Sequence, residues 1–159
     1  MATPKISPFL WFDNQAEEAA NFYTSIFKNS KISHIARYSG EGAKASGQPE
    51  GTAMTVAFTL DGQNFTALNG GPIFKFTEAV SFVVSCENQE EVDHFWNKFT
   101  VEGKESQCGW LKDKFGLSWQ IVPKQLGGLM SGPKVGKVMG AMLKMKKIII
   151  KELEDAANQ

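Results

Sequence analysis

The feature that most limits what this chain can fold into is an internal repeat. Ile6-Ser7 leads through an apolar run to Asp13-Asn14-Gln15-Ala16-Glu17-Glu18, then Phe22-Tyr23 and Phe27. Val80-Ser81 leads through a second run to Glu87-Asn88-Gln89-Glu90-Glu91, then Phe95-Trp96 and Phe99. The strand parts match at an offset of 74 and the helix parts from Glu17-Glu18 to Phe22-Tyr23 at 73, because Ala16 is an extra residue, with Phe27 and Phe99 72 apart. Self-similarity at a fixed offset reports duplication of a whole supersecondary unit.

Each copy opens with a short apolar, aromatic or β-branched run, Ile6 to Phe12 and Val80 to Cys86, too short for a helix and therefore a strand. A helix follows in each. Asn14 with Glu17, and Asn88 with Glu91, have the spacing of an N-cap and its N3 partner. Ala19, Tyr23, Ile26 and Phe27, then Val92, Phe95, Trp96 and Phe99, give both helices one apolar face. Further strands are predicted at Ile32 to Tyr38, Thr52 to Leu60 and Asn64 to Leu68, and in the second copy at Cys108 to Lys112 and Leu117 to Val122. Asp61-Gly62 reads as a tight hairpin turn and Asp113 to Gly116 as its looser counterpart. Aligning Gly62 with Gly116 sets Thr66 opposite Gln120. The linker falls at Gly70 to Thr77, so one domain divides into module one, about 4–70, module two, about 78–123, and a helical extension, about 124–159. In that extension Ser131-Gly132-Pro133 starts a helix with a stripe of Val135, Val138, Met139, Met142 and Leu143, and a last helix covers about Ile148 to Ala157.

Seventeen basic and seventeen acidic residues cancel, so no long-range field draws nucleic acid or an anionic membrane, and small molecules become the default partners. No apolar run approaches the length of a membrane span and Met1 to Pro8 lacks signal-peptide features, which predicts a cytoplasmic protein. Cys86 and Cys108 are too few for a disulfide framework and read as reduced.

The Asn-Gln-Glu-Glu helix entry, Cys108-Gly109-Trp110-Leu111-Lys112-Asp113-Lys114-Phe115-Gly116, Ser118-Trp119-Gln120-Ile121-Val122-Pro123 and the tail Ala141-Met142-Leu143-Lys144-Met145 resemble the PhnB-like proteins. These belong to the glyoxalase/bleomycin-resistance/dioxygenase, or vicinal oxygen chelate, superfamily and often carry the label 3-demethylubiquinone-9 3-methyltransferase domain. The resemblance implies an α+β fold of two βαβββ modules forming a cupped mixed β-sheet barrel, with C-terminal helices, and a homodimer that shares or swaps modules. In the superfamily's metalloenzymes one ligand sits near the start of each module's first strand and another near the end of its last. The resemblance places these positions on Ser81 and Gln120, and the repeat carries them to Ser7 and Thr66. A hydroxyl or neutral amide is a poor divalent-metal ligand beside imidazole or carboxylate. No cofactor is therefore predicted; a divalent metal, which the superfamily admits, is not supported by these positions.

Other candidate chemistries carry less. His34 lies in an alternating strand and His94 beside Asp93 off the helix stripe, neither with a second ligand at a metal spacing. Glu78 reads as the end of a solvated linker, although it starts close to the cup. Gly40 to Gly47 is glycine-rich with Lys44, but a phosphate loop needs a helix directly after it and this segment runs through Pro49 and Gly51 into a strand, so a mobile hairpin loop is the reading. Phe12-Asp13-Asn14-Gln15 has no glycine, so the methyltransferase label gains no cofactor motif. Cys108 lacks a sequence neighbour that would lower its pKa and reads as a small buried residue, while Lys112 and Asp113 fit a solvated turn. The lysines around the tail's Met-containing stripe are followed at once by Glu152, Glu154 and Asp155, which favours packing over membrane attachment.

What remains is a surface. Strand alternation puts Phe9 and Trp11 with Ser7, Val83 and Ser85 with Ser81, and Ser118 and Val122 with Gln120. With Thr66, Cys108 and Trp110 these are the ligand-pocket candidates, an apolar hollow with a few neutral hydrogen-bonding groups. Either they line a pocket for a small aromatic or apolar molecule or they fill the core. Two functional readings stand beside a purely structural one: a ligand-binding protein without the usual metal, and a metalloenzyme with an atypical site.

Overall fold

A computed structural model describes residues 4–159. The chain divides into two compact units, 1–75 and 76–159.

The first unit runs β1 (Phe9–Phe12), α1 (Ala16–Ile26), β2 (Lys31–Arg37), α2 (Gly40–Ser46), β3 (Ala53–Leu60) and β4 (Gln63–Asn69). Its sheet has the order β1-β4-β3-β2, with β1 parallel to β4 and the rest antiparallel. Asp61 and Gly62 join β3 to β4 with φ of 48° and 81°, the paired left-handed geometry that a two-residue hairpin turn requires. One sheet face carries Leu10, Val56, Phe58, Phe65 and Ala67, all buried, against Ala19, Ala20, Tyr23 and Ile26 of α1. Tyr23 stacks on Phe58 at 6.2 Å and Phe58 on Phe65 at 5.4 Å. Burying each such side chain stabilises the unit by roughly 1.5–3 kcal/mol.

The second unit repeats the order with β5 (Ser81–Cys86), α3 (Gln89–Thr100), β6 (Lys104–Glu105), β7 (Trp110–Lys112) and β8 (Ser118–Pro123), its sheet ordered β5-β8-β7-β6. Val84, Cys86, Leu111, Trp119 and Ile121 pack on Val92, Trp96 and Phe99 of α3, with Phe99 stacked on Trp119 at 4.7 Å. Then come α4 (Leu126–Ser131), α5 (Val135–Met142) and α6 (Ile150–Ala157), whose apolar sides meet in a cluster of Val138, Met145, Ile148 and Leu153. Gln89 fastens this extension to α3: its amide donates to the Ile148 carbonyl at 3.0 Å and accepts from Ile150 N–H at 2.9 Å, satisfying a first-turn donor of α6.

The βαβββ modules are present, but the expected barrel is not. Each sheet ends in strands that do not pair with each other, β1 and β2 in one, β5 and β6 in the other, so neither closes or curls strongly. β6 is two residues long and offers too few backbone groups to carry closure further.

Local corrections have identifiable causes. β1 begins at Phe9 rather than Ile6, and Ser7 lies ahead of it; Pro8 has no N–H to donate, although its carbonyl accepts from Thr66 N–H at 3.1 Å. The capping box forms in part in α3, where Asn88 accepts from Glu91 N–H at 3.0 Å and the Glu91 carboxylate reaches back to Glu87 N–H at 2.7 Å, one residue before the N-cap. It fails in α1, where the extra residue brings Gln15 rather than Asn14 to the N-cap, with no side-chain cap bond. Asn69, at the end of β4, serves instead by accepting from Ala16 N–H at 2.8 Å. Gly40 to Ser46 forms the short exposed helix α2, stopped by Gly47 at φ 73°, and is not a hairpin loop. α5 starts at Val135, two residues past Pro133, and Val135 and Leu143 of its predicted stripe stay exposed.

Candidate functional site

Because paired strands share the direction of their side chains, the register of the second sheet defines its open face. One row runs Ser81, Ser118, Lys112, Lys104 across the strands, and the next runs Val83, Gln120, Trp110. The opposite face is the one buried on α3. On the open face Gln120 Nε2 donates to Ser81 Oγ at 2.9 Å, so two of the sequence-predicted residues meet. Val83 beside them is 59% exposed, and Trp110 is half-buried.

A pocket of about 180 Å³ opens next to this pair, lined by Glu78, Lys104, Glu105, Ser106, Trp110, Leu111, Lys112 and Ser118. Ser118 is 1% exposed and its hydroxyl has no hydrogen-bond partner. Glu78 forms an ion pair with Lys112, and the hydrogen bond from that ammonium holds the Glu78 carboxyl below its usual range. Glu78 therefore belongs to the pocket as well as to the linker. Asp113, two residues before Phe115, is not part of a solvated turn: it is buried and accepts from Phe115 N–H, Leu117 N–H and Trp119 Nε1 at 2.9, 3.1 and 2.9 Å.

In the first unit Phe9 pairs with Thr66 as Val83 pairs with Gln120, so Thr66 stands where Gln120 does in the repeat. Phe9 is 61% exposed on the open face of that sheet. Trp11 is committed elsewhere: its indole donates to the Gly71 carbonyl at 2.9 Å and meets Phe74 edge-on at 4.9 Å. A Cβ on Gly70 would lie 2.3 Å from the same ring, which is why the segment after β4 begins with glycine. Ser7 is exposed and outside any strand.

Cys108 does not line the pocket. With Gly109 it forms a left-handed step, φ 57° and 83°, whose N–H groups donate to the Met145 and Lys146 carbonyls at 2.9 and 2.8 Å. A side chain on Gly109 would meet the Ile121 carbonyl at 2.8 Å, so this junction ties the extension to β8. Burial, with a smaller effect from Glu91, pushes the Cys86 thiol up to about 12. Iodoacetamide near neutral pH should therefore leave Cys86 unmodified until the chain is denatured, as peptide mass mapping would show; labelling in the native state would contradict its burial. A folded-state value of about 12 against an ordinary 9.0 stabilises the fold below 9.0, and that contribution is lost as pH climbs through the interval.

The residues present do not fit a divalent metal. Ser81 and Gln120 are neutral and bonded to each other, and among the described residues no group of three or more His, Cys, Asp and Glu is placed to hold an ion. Both histidines are exposed. Lys104 and Ser106 were not singled out from the sequence, since a two-residue strand of charged residues carries no periodic signal.

Duplicated βαβββ units, each pairing its first and last strands in parallel and placing the equivalent positions there, define a vicinal oxygen chelate fold. The family model described as 3-demethylubiquinone-9 3-methyltransferase matches residues 4–122. The PhnB protein from Bacillus cereus is 39% identical over 76% of this chain and 99% of that one, with a TM-score of 0.68. This chain thus belongs to the PhnB-like, 3-demethylubiquinone-9 3-methyltransferase family. Protein PA1353 from Pseudomonas aeruginosa (15% identity, 77% of this chain and 98% of that, TM-score 0.61) shares the fold. So does the genomically encoded fosfomycin resistance protein FosX from Listeria monocytogenes (12% identity, 83% and 100%, TM-score 0.56). No curated protein matches. The family match ends before α4, so Ala141 to Met145 lies outside it. Among the described residues no helix is long and apolar enough to cross a membrane.

Proposed function

We propose that this chain binds a small, partly aromatic or apolar molecule on the open face of the second sheet, without the metal ligands usual in the superfamily. The observation that carries this reading is the composition of that face. An exposed Val83 and the Trp110 ring flank a neutral Ser81–Gln120 pair, the mixture of apolar wall and few polar groups by which small-ligand sites orient their occupants. Both modules and the extension work as one domain in this reading, and the protein acts as a homodimer, supported by exposed apolar residues outside the ligand face such as Ile73 and Phe74. Free Cys86 and Cys108 support a reducing, cytoplasmic setting. The methyltransferase function carried in the family's name finds no glycine at the β1–α1 turn and, among the described residues, no doubly wound parallel sheet with a nucleotide crevice.

Elemental analysis of the purified protein, paired with ligand-observed NMR against a library of small aromatics, tests the reading. Substoichiometric metal and at least one ligand whose binding weakens about tenfold in Trp110→Ala or Gln120→Ala are the expected results. A tightly held equivalent of iron, manganese, nickel or zinc would overturn the metal-free part. The absence of any binder in the library would overturn the rest.

A further inference from the structure

We propose that the pocket beside the Ser81–Gln120 pair receives the acidic group of a small carboxylate, held by Lys104, Lys112 and Ser118. The inference rests on the reading of this face as a ligand surface and adds the charge of the ligand to it.

Lys104, Lys112 and Ser118 stand in one cross-strand row, and all three line the pocket. Their charges do not cancel locally. Glu105 is turned to the other side of the sheet, where it accepts from Trp96 Nε1 at 3.0 Å and lies 3.8 Å from Lys146. Glu78 neutralises Lys112, while Lys104 has no ion-pair partner among the described residues. One positive charge is left over, which suits a monoanion.

Ser118 makes the second, independent point. A hydroxyl that is shut off from water and has no partner forgoes a hydrogen bond, and such groups in folded proteins are rare unless a ligand or water completes them. A carboxylate oxygen is the acceptor it lacks. Lys112, its cross-strand neighbour, is occupied by Glu78, whose carboxylate is thus a built-in stand-in for the ligand's. Glu78 is 62% exposed at its side chain, and exposed ion pairs are weak, so an incoming acid can take its place on Lys112 and reach Ser118 as that side chain shifts. Trp110 lines the pocket as its aromatic wall for the apolar body of the ligand, and about 180 Å³ leaves room for roughly one substituted aromatic ring.

Titration calorimetry on the full chain with matched pairs, benzoate and benzamide, phenylacetate and phenylacetamide, indole-3-acetate and indole-3-acetamide, tests this. At least one acid should bind on the order of tenfold more tightly than its amide. Lys104→Met and Lys112→Met should erase that preference, and Glu78→Gln should strengthen it several-fold, with thermal melts verifying that these exposed positions leave the fold intact. Acid and amide binding equally, with no effect of the lysine changes, would overturn this inference and leave the ligand surface standing. Neither binding at all would overturn both.

Discussion

Asp113→Ala should lower the stability of the chain by about 4 kcal/mol and its melting temperature by roughly 12 °C. The side chain is buried, and it accepts from two backbone N–H groups of the β7–β8 turn and from the Trp119 indole. Removing it leaves three donors without their acceptor, two of them buried where water cannot take its place, and it loosens the hold on Trp119, whose ring stacks on Phe99 in the second unit. Asp113→Asn should recover only part of the loss, because an amide turns an NH2 group toward at least one of those donors. Calorimetric melting of the three proteins checks this. A loss under about 1 kcal/mol for Asp113→Ala would mean that the turn satisfies its donors another way.

Asn69→Ala should cost about 3 kcal/mol, felt in the first unit. Asn69 Oδ1 supplies the acceptor for Ala16 N–H, and Nδ2 donates to the Ala53 carbonyl at 2.9 Å. One side chain thereby caps α1 and pins the start of β3, and its loss leaves a donor and an acceptor unpaired below the sheet. Hydrogen exchange followed by mass spectrometry should show the first turn of α1 losing protection, with α3, capped by its own Asn88, unchanged. Equal loss in both helices would instead point to global destabilisation.

These two residues mark where sequence reasoning reached and where it stopped. The module order was legible because apolar periodicity and repeat spacing are local signals, and Tyr23, Trp96 and Phe99 are buried as their stripes predict. The Asn88 cap was legible because its partner is three residues away. Asn69 was not, because its partner Ala16 lies 53 residues off and the repeat gives no hint: the equivalent position in the second copy is Pro123. The Ser81–Gln120 contact joins residues 39 apart, and its two positions came from family resemblance rather than from any local pattern. The pocket depends on β6, whose two charged residues resemble a loop until pairing with Lys112 and Leu111 reveals them as a strand. Barrel closure was inferred from resemblance and failed because closure is a property of the outer strands' pairing, on which side-chain patterning is silent.

Two open sheets expose their rims, and a free rim invites strand addition by another chain. One of the two edge strands of the first sheet answers this in its own sequence. β2 carries Lys31, His34 and Arg37 and breaks register twice, between Ile32 and His34 and between Ala36 and Arg37, so an incoming strand would meet charge and a backbone that cannot be followed in step. The corresponding edge strand of the second sheet, β6, is instead so short that there is almost nothing to extend. By two unrelated devices the duplicated module is thus guarded against aggregation at the same strand position, and substitutions that smooth β2 or lengthen β6 would bear first on solubility rather than on binding.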